Sequence, residues 1–323
     1  MEFDNPEDEA IRGTNDDATV SRLSAVTIGY FDDPFVRYFV KRPVRRSPII
    51  NRGSYIRNYA LDRLVQRFLQ TPTDKKKQIL GLGAGFDTRY FLLRAGHLKG
   101  TESLAKYYEV DFPEIVMKKA MTIQRRKELH EHLSHVRIEK GGTELQSDQY
   151  CLLGNDLRSW KESVVPQLLA NGFDTSAPTL FLSECVLIYL EPTHSDAIMA
   201  WMTETLSDCA FVLYEQIRPN DSFGKMMLRN LESRDIQLKG IHAYPDLQHQ
   251  ERRFLDLGWR FAKAVDTNAI HDTYLVPGDL ARMAKLEILD ELEEWRLLAA
   301  HYCVAWACKS DNETFDNVRL GEA

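Results

Sequence analysis

The sequence predicts an α/β fold, a mostly parallel sheet with helices on both faces beneath an N-terminal helical cap. Three observations point there. From residue 78 onward, short apolar runs alternate with helix-patterned stretches, the signature of repeated β–α units. The first run, "QILGL", passes directly into a glycine-rich turn, "GAGFDTR", that opens another helix-like stretch. Residues 15–70, in contrast, read as helices interrupted by turns.

The elements follow in order. Residues 1–14 are acidic and polar and are expected to form a disordered leader. "NDDATVSRLSAVTIGY" begins on Asx residues and sets Val20, Leu23, Val26 and Thr27 at helical spacing. "RPVRRSPIINRG", with its prolines and clustered arginines, reads as an ordered loop. "SYIRNYALDRLVQRFLQ" is an amphipathic helix with Ile56, Tyr59, Leu64 and Phe68 near one face. "TPTDKKK" ends it, its lysines a solvated charge run. The strand candidates are "QILGL", "KYYEVDF", "HVRIE", "QYCLLGND", "TLFLSEC", "AFVLYEQ", "WRFAKAVD" and "HYCVAWAC". Between them lie helix candidates such as "PEIVMKKAMTIQRRKELHEHL", "THSDAIMAWMTETL" and "DSFGKMMLRNLESRDI". The last strand is compatible with either direction. The expected organisation is one domain over residues 15–323, with a helical cap at 15–75 and an α/β core at 76–323.

The totals exclude several classes. With 44% hydrophobic and 28% charged residues, the 323-residue chain has an ordinary globular composition. A net charge of −7 argues against a broad nucleic-acid surface. No apolar run approaches the roughly 20 residues of a membrane helix. The acidic N-terminus lacks the basic start and apolar core of a signal peptide. Cys151, Cys185, Cys209, Cys303 and Cys308 form no CxxC pair, as expected for reduced, buried thiols in a cytoplasmic protein.

Ligands in such folds bind beyond the carboxyl ends of the strands. Gly83 and Gly85 sit at the first such end, where they permit positive φ and close backbone approach. The spacing is G-x-G-x-G, with Phe86 where a dinucleotide fingerprint carries its third glycine. That points to a nucleoside ligand without a diphosphate, although a bare tight turn also satisfies the pattern. Asp111, 28 residues after Gly83, ends the next strand and can accept from both ribose hydroxyls. Asp156 can receive an adenine amine while Leu157 packs on the ring. Glu184 interrupts an otherwise apolar run, and strand-end exposure into a cleft resolves its burial cost.

At these residues the sequence resembles the leucine carboxyl methyltransferase family, within the class I S-adenosylmethionine-dependent methyltransferases of Rossmann-like fold. The matching pieces include "SPIINRGSYIRNYALDRLV", "LGLGAGFDTRYFLL", "YYEVDFPEIVMKK", "GNDLR", "SECVLIYLEP" and "HYCVAWAC", spread over residues 16–308. The resemblance implies S-adenosylmethionine as cofactor. For the eukaryotic branch it implies methyl esterification of the C-terminal leucine carboxylate of the protein phosphatase 2A catalytic subunit, regulating holoenzyme assembly. It implies cofactor contacts from Arg22, Arg57, Gly83, Asp111, Asp156, Leu157 and Glu184. Arg22 stands where the family often has lysine, keeping charge but not shape. A sister branch acts in tRNA wybutosine synthesis and carries an added propeller, for which 323 residues leave no room.

A C-terminal carboxylate, with a pKa of about 3.5, is ionised at neutral pH and is its own nucleophile. No catalytic proton carrier and no metal ligand set is therefore nominated. Arg57 and Tyr214 are candidates to hold the peptide terminus, although a tyrosine that merely caps the sheet explains Tyr214 equally well. The segment 219–250 is expected to roof the cofactor with the cap helices. His130, His132 and His135 read as solvated, and Arg42, Arg45 and Arg46 as loop charges that can also meet an acidic tail. The alternatives are a methyltransferase of the same fold acting on tRNA or a small-molecule carboxylate, a nicotinamide oxidoreductase, which the missing third glycine disfavours, and a phosphatase-binding scaffold.

Overall fold

The computed structural model describes residues 6–310 and 313–321. Its sheet contains β1 (Lys77–Leu82), β2 (Leu104–Asp111), β3 (Arg137–Glu139), β4 (Glu144–Gln146), β5 (Tyr150–Gly154), β6 (Thr179–Glu184), β7 (Cys209–Gln216), β8 (Phe261–Asp266) and β9 (Tyr302–Lys309). The spatial order is β3-β4-β5-β2-β1-β6-β7-β9-β8. The central five strands, β5-β2-β1-β6-β7, are parallel, and β9 runs antiparallel between β7 and β8. All eight strand candidates lie on strands. β4, between β3 and β5, is the strand not among the candidates.

Side chains alternate across the sheet because strand periodicity is two. On β7, Ala210, Val212 and Tyr214 face one apolar layer, while Cys209, Phe211 and Leu213 face the other. Every residue of β1 and β7 is buried, as expected where helices cover both faces of a parallel sheet. No helix among the described residues is long and apolar enough to cross a membrane.

The cap differs from expectation at both of its helices. α1 spans Pro6–Ile28, so residues 6–14 are helical and not a disordered leader; residues 1–5 lie outside the described residues. Glu7, Asp8 and Glu9 in its first turn complement the helix dipole. Long-range ion pairs then fix that end: Asp8 with Arg158, and Glu7 with Lys239 at 2.9 Å. α2 spans Pro48–Gln70 and takes in the "PIINRG" expected as loop. Pro48 at its first position supplies a preset φ and no needed N–H. Residues 219–250 contribute the helix Ser222–Glu232, whose Met227, Leu228 and Leu231 join Ile188, Ile236 and Leu238 around Ala10 of α1.

Candidate functional site

β1 ends at Leu82 and the chain turns through Gly83 and Gly85, with φ of +55° and +52°. Both sit in the left-handed region that disfavours side chains. Space demands glycine as well: a Cβ at Gly83 would lie 2.6 Å from both Val186 methyls, and one at Gly85 2.3 Å from Asn15 Oδ1. The turn is pinned by its own amides. Gly83 N donates to Val110 O at 2.8 Å, and Phe86 N to Asn15 Oδ1 at 2.9 Å, which ties α1 to the turn.

A cavity of about 760 Å³ opens at the carboxyl ends of the central strands. It lies at the switch point of the sheet, where β1 is flanked on one side by β2, which follows it in the chain, and on the other by β6, which is reached by the crossover from β5. Arg22, Arg57, Gly83, Asp111, Asp156, Leu157, Glu184 and Tyr214 all line it.

At one end of the cavity, Asp111 Oδ2 accepts from Gly85 N and Oδ1 from Phe112 N, both at 2.7 Å. Burial pushes its carboxyl up to about 6, against the lowering effect of those two amides. Asp156 accepts from Arg158 N at 2.8 Å and from the Arg158 guanidinium. The same guanidinium reaches Asp8 with Nη1 at 3.0 Å and Nη2 at 2.7 Å. It thus straps the first turn of α1 to the end of β5. Leu157, 7% exposed, supplies an apolar wall beside Asp156.

Arg22, Arg57, Asp87 and Glu184 line the cavity and belong to a charge network that continues into the buried interior. Arg57 Nε donates to Glu184 Oε2 at 2.6 Å, and its guanidinium stacks 4.7 Å from the Tyr214 ring centroid. Tyr214 in turn stacks on Tyr302 at 5.4 Å. Arg89, fully buried, donates to Asp62 at 2.6 Å, to Asp87 at 3.1 Å and to Glu184. Arg22 sets Nε 2.9 Å from Asp33 and Nη1 3.5 Å from Asp87. Burial would raise the carboxyls of Asp87 and Glu184, but the guanidinia beside them outweigh it and hold both below the usual range. For Asp62 burial prevails and its carboxyl is raised. Among the described residues, Arg22 Nη2 is buried with no hydrogen-bond partner.

The remaining wall runs from α2 to the helix Leu292–Ala300. Ile49, Gly53, Trp295, Leu298 and Ala299 make this end apolar, with Thr267 and Tyr302 beside it. Between the two ends Cys185 follows β6 with φ of +56°, an uncommon conformation for a non-glycine residue. Glu215, fully buried on β7, accepts from Ile188 N at 2.7 Å and so fixes the loop that brings Val186 and Tyr189 to the cavity.

Several contributors are absent from the sequence-based set: Arg89, Asp87, Asp62, Asp33, Arg158 and Glu215. One signal for Arg89 was available. It opens α3 (Arg89–Arg94), whose next residues, Tyr90, Phe91, Leu92 and Leu93, are all buried. A cation in the first turn opposes the helix dipole, so such a residue requires partners. His132 corrects the expectation of a solvated histidine cluster. It is half-buried and meets Phe35 edge-on at 5.3 Å, and burial lowers its pKa, whereas His130 and His135 are exposed. Of the loop arginines, Arg45 pairs with Glu287 at 3.0 Å and Arg46 with Asp17 at 3.4 Å, while Arg42 is exposed.

Comparison with known proteins gives consistent relations. The leucine carboxyl methyltransferase family model matches residues 10–203. An Arabidopsis thaliana protein named leucine carboxyl methyltransferase 1 homolog is 45% identical over 305 residues, covering 92% of this chain and 89% of that protein. The human protein named tRNA wybutosine-synthesizing protein 4 is 38% identical over 308 residues, covering 94% of this chain and 44% of that one. Among solved structures, a DUF574-family protein from Streptomyces avermitilis shares the fold at TM-score 0.52 and 12% identity, over 90% of this chain and 96% of that one.

Proposed function

The chain belongs to the leucine carboxyl methyltransferase family, and on that premise we propose that it forms a methyl ester on the C-terminal leucine carboxylate of the protein phosphatase 2A catalytic subunit. The cofactor in this reading is S-adenosylmethionine. When bound, it supplies an electrophilic methyl group carried on a sulfonium.

The residues at the cavity fit that molecule in charge and shape. Each oxygen of Asp111 accepts one backbone amide and keeps lone-pair capacity for a ribose hydroxyl. Asp156 and Leu157 offer an acceptor and an apolar face to an adenine. The unpartnered Nη2 of Arg22 suits an α-carboxylate, and Glu184 suits an α-ammonium. Gly83 and Gly85 line the cavity where a nucleoside would approach, and glycine there lets Val186 and Asn15 close in on the turn.

Arg57 carries the acceptor side of the reading. Its Nε is held by Glu184 and its face by Tyr214, so the guanidinium is oriented before any acceptor arrives. An acceptor carboxylate is already ionised, so the chain's groups need to move no proton in the attack. Because Glu184 shares the charge of Arg57, the guanidinium places an incoming carboxylate without fully quenching it as a nucleophile. Opposite charges cancel as the ester forms, and a cleft roofed by α1 and residues 219–250 favours that cancellation by excluding water. The five free cysteines support a reducing compartment such as the cytoplasm.

The observation that carries the proposal is the convergence of the Arg57–Glu184–Tyr214 arrangement with Asp111 and Asp156 in one cavity. The test is incubation with methyl-tritiated S-adenosylmethionine and the phosphatase catalytic subunit, followed by mild alkali. Base-labile label that disappears when the terminal leucine is deleted is expected. Alkali-stable label, or undiminished labelling of the truncated acceptor, refutes the proposal.

A further inference from the structure

We propose that Gly53 and the indole of Trp295 bound a subsite for the side chain of the acceptor's last residue, and that the bare position 53 sets which residue fits. The proposal rests on the reading of the cavity as the site of carboxylate methylation and adds where specificity resides.

Ile49, Gly53 and Arg57 recur every four residues on α2, so they share one face, and all three line the cavity. Gly53 lies inside the helix, where glycine is disfavoured relative to alanine. Nothing local requires it. Its φ is not among the positive ones, so its backbone conformation is open to any residue. A Cβ there would meet Trp295 Cζ3 at 3.8 Å, an ordinary contact, and no other atom within 4 Å beyond its own helix backbone and chain neighbours. Neither backbone nor packing accounts for the glycine. What its bareness leaves is space in the cavity.

That space has apolar walls. Ile49 and Ala299 are 5% and 2% exposed, Trp295 is 1% exposed, and Leu298 closes the set. One helical turn along α2, about 5.4 Å, stands Arg57, the group that orients the carboxylate in the proposed reaction. A short branched aliphatic side chain spans that distance from its own carboxylate. The chamber therefore suits a terminal leucine and loses that fit once a side chain grows from position 53.

The test uses the full chain carrying Gly53→Val, Gly53→Ala or Trp295→Ala. Acceptors are the phosphatase catalytic subunit ending in its leucine, or with that residue changed to alanine or phenylalanine. For Gly53→Val, the preference for leucine over alanine in kcat/KM falls by about tenfold or more, the scale on which a pocket discriminates single methylenes. Calorimetry shows weaker binding of a leucine-ended peptide in the presence of S-adenosylhomocysteine, with affinity for S-adenosylhomocysteine itself as in the parent. Gly53→Ala, which helix propensity favours, shifts the preference in the same direction by less, and decides the matter if the valine variant does not fold. Trp295→Ala raises acceptance of a terminal phenylalanine relative to leucine. An unchanged leucine-to-alanine preference, through equal losses on both acceptors or none on either, overturns the proposal. A parent chain that transfers no base-labile label to any terminus overturns the underlying site reading, and that outcome is visible before any variant is made.

Discussion

Replacing Arg89 with methionine removes the central cation of the buried network while keeping much of its volume. Arg89 has no exposed side-chain surface and serves Asp62, Asp87 and Glu184 at once. Without it, those three carboxyls face each other with Arg22 and Arg57 as the nearest cations. Removing one partner of a buried ion pair costs about 3–5 kcal/mol, because the other is left uncompensated. Unfolding entropy of about 2.1 cal/mol/K per residue over 323 residues gives about 0.7 kcal/mol/K, so the melting temperature should fall by about 4–7 °C if the chain melts as one unit. The loss should depend on pH. In the parent, Asp87 and Glu184 are held below the usual carboxylate range, so their stabilisation is complete above their unfolded pKa of about 4 and is lost as pH falls below that toward and through the lower folded values. In the variant, burial dominates and the folded pKa values rise above the unfolded ones. The fold then binds extra protons, so its stability improves as pH falls through the window between the two. Thermal melts of parent and variant between about pH 5 and about pH 8 should therefore show a deficit largest at the alkaline end. A variant that melts with the parent, or a deficit that stays constant with pH, would refute the assignment of Arg89 as the charge that holds these carboxylates together.

Further outcomes follow from the Asp111 end of the cavity. Affinity for S-adenosylhomocysteine, measured by calorimetry, should weaken as pH drops through about 6, where the Asp111 carboxylate is protonated, and Asp111→Asn should flatten that dependence. Stability of the ligand-free fold carries the reverse sign: the raised pKa of Asp111 contributes below its unfolded value of about 3.9, and the contribution is lost as pH rises through about 6. Arg158→Ala should cost less than about 1 kcal/mol, since its side chain is 33% exposed. It should nonetheless release Asp8, so amides of residues 6–14 exchange faster by hydrogen-exchange mass spectrometry; unchanged protection there would remove Arg158 as the strap on α1.

The sequence by itself determined the order of strands along the chain and the residues at their ends. Strands such as β1, β6 and β7 are legible because burial on both faces demands near-continuous apolar runs. The exceptions to those runs, Asp111, Asp156 and Glu184, stand out for the same reason, since an acidic side chain tolerates such a place only at a cleft or beside a buried partner, as Glu109 has in Lys119. The glycine turn is legible because a left-handed backbone selects one residue type at Gly83 and Gly85. Tertiary structure alone decided the rest. Asp62 and Asp33 lie on cap segments where acids facing solvent and acids facing Arg89 or Arg22 look alike in the chain. The first turn of α1 is tied to distant segments, Asp8 to Arg158 and Glu7 to Lys239, 150 and 232 residues along the chain. The antiparallel insertion of β9 between β7 and β8 likewise has no local signature. Local spacing encodes periodicity and handedness, whereas the pairing of charges and of strand edges is settled only when distant segments meet and must satisfy one another's buried polar groups.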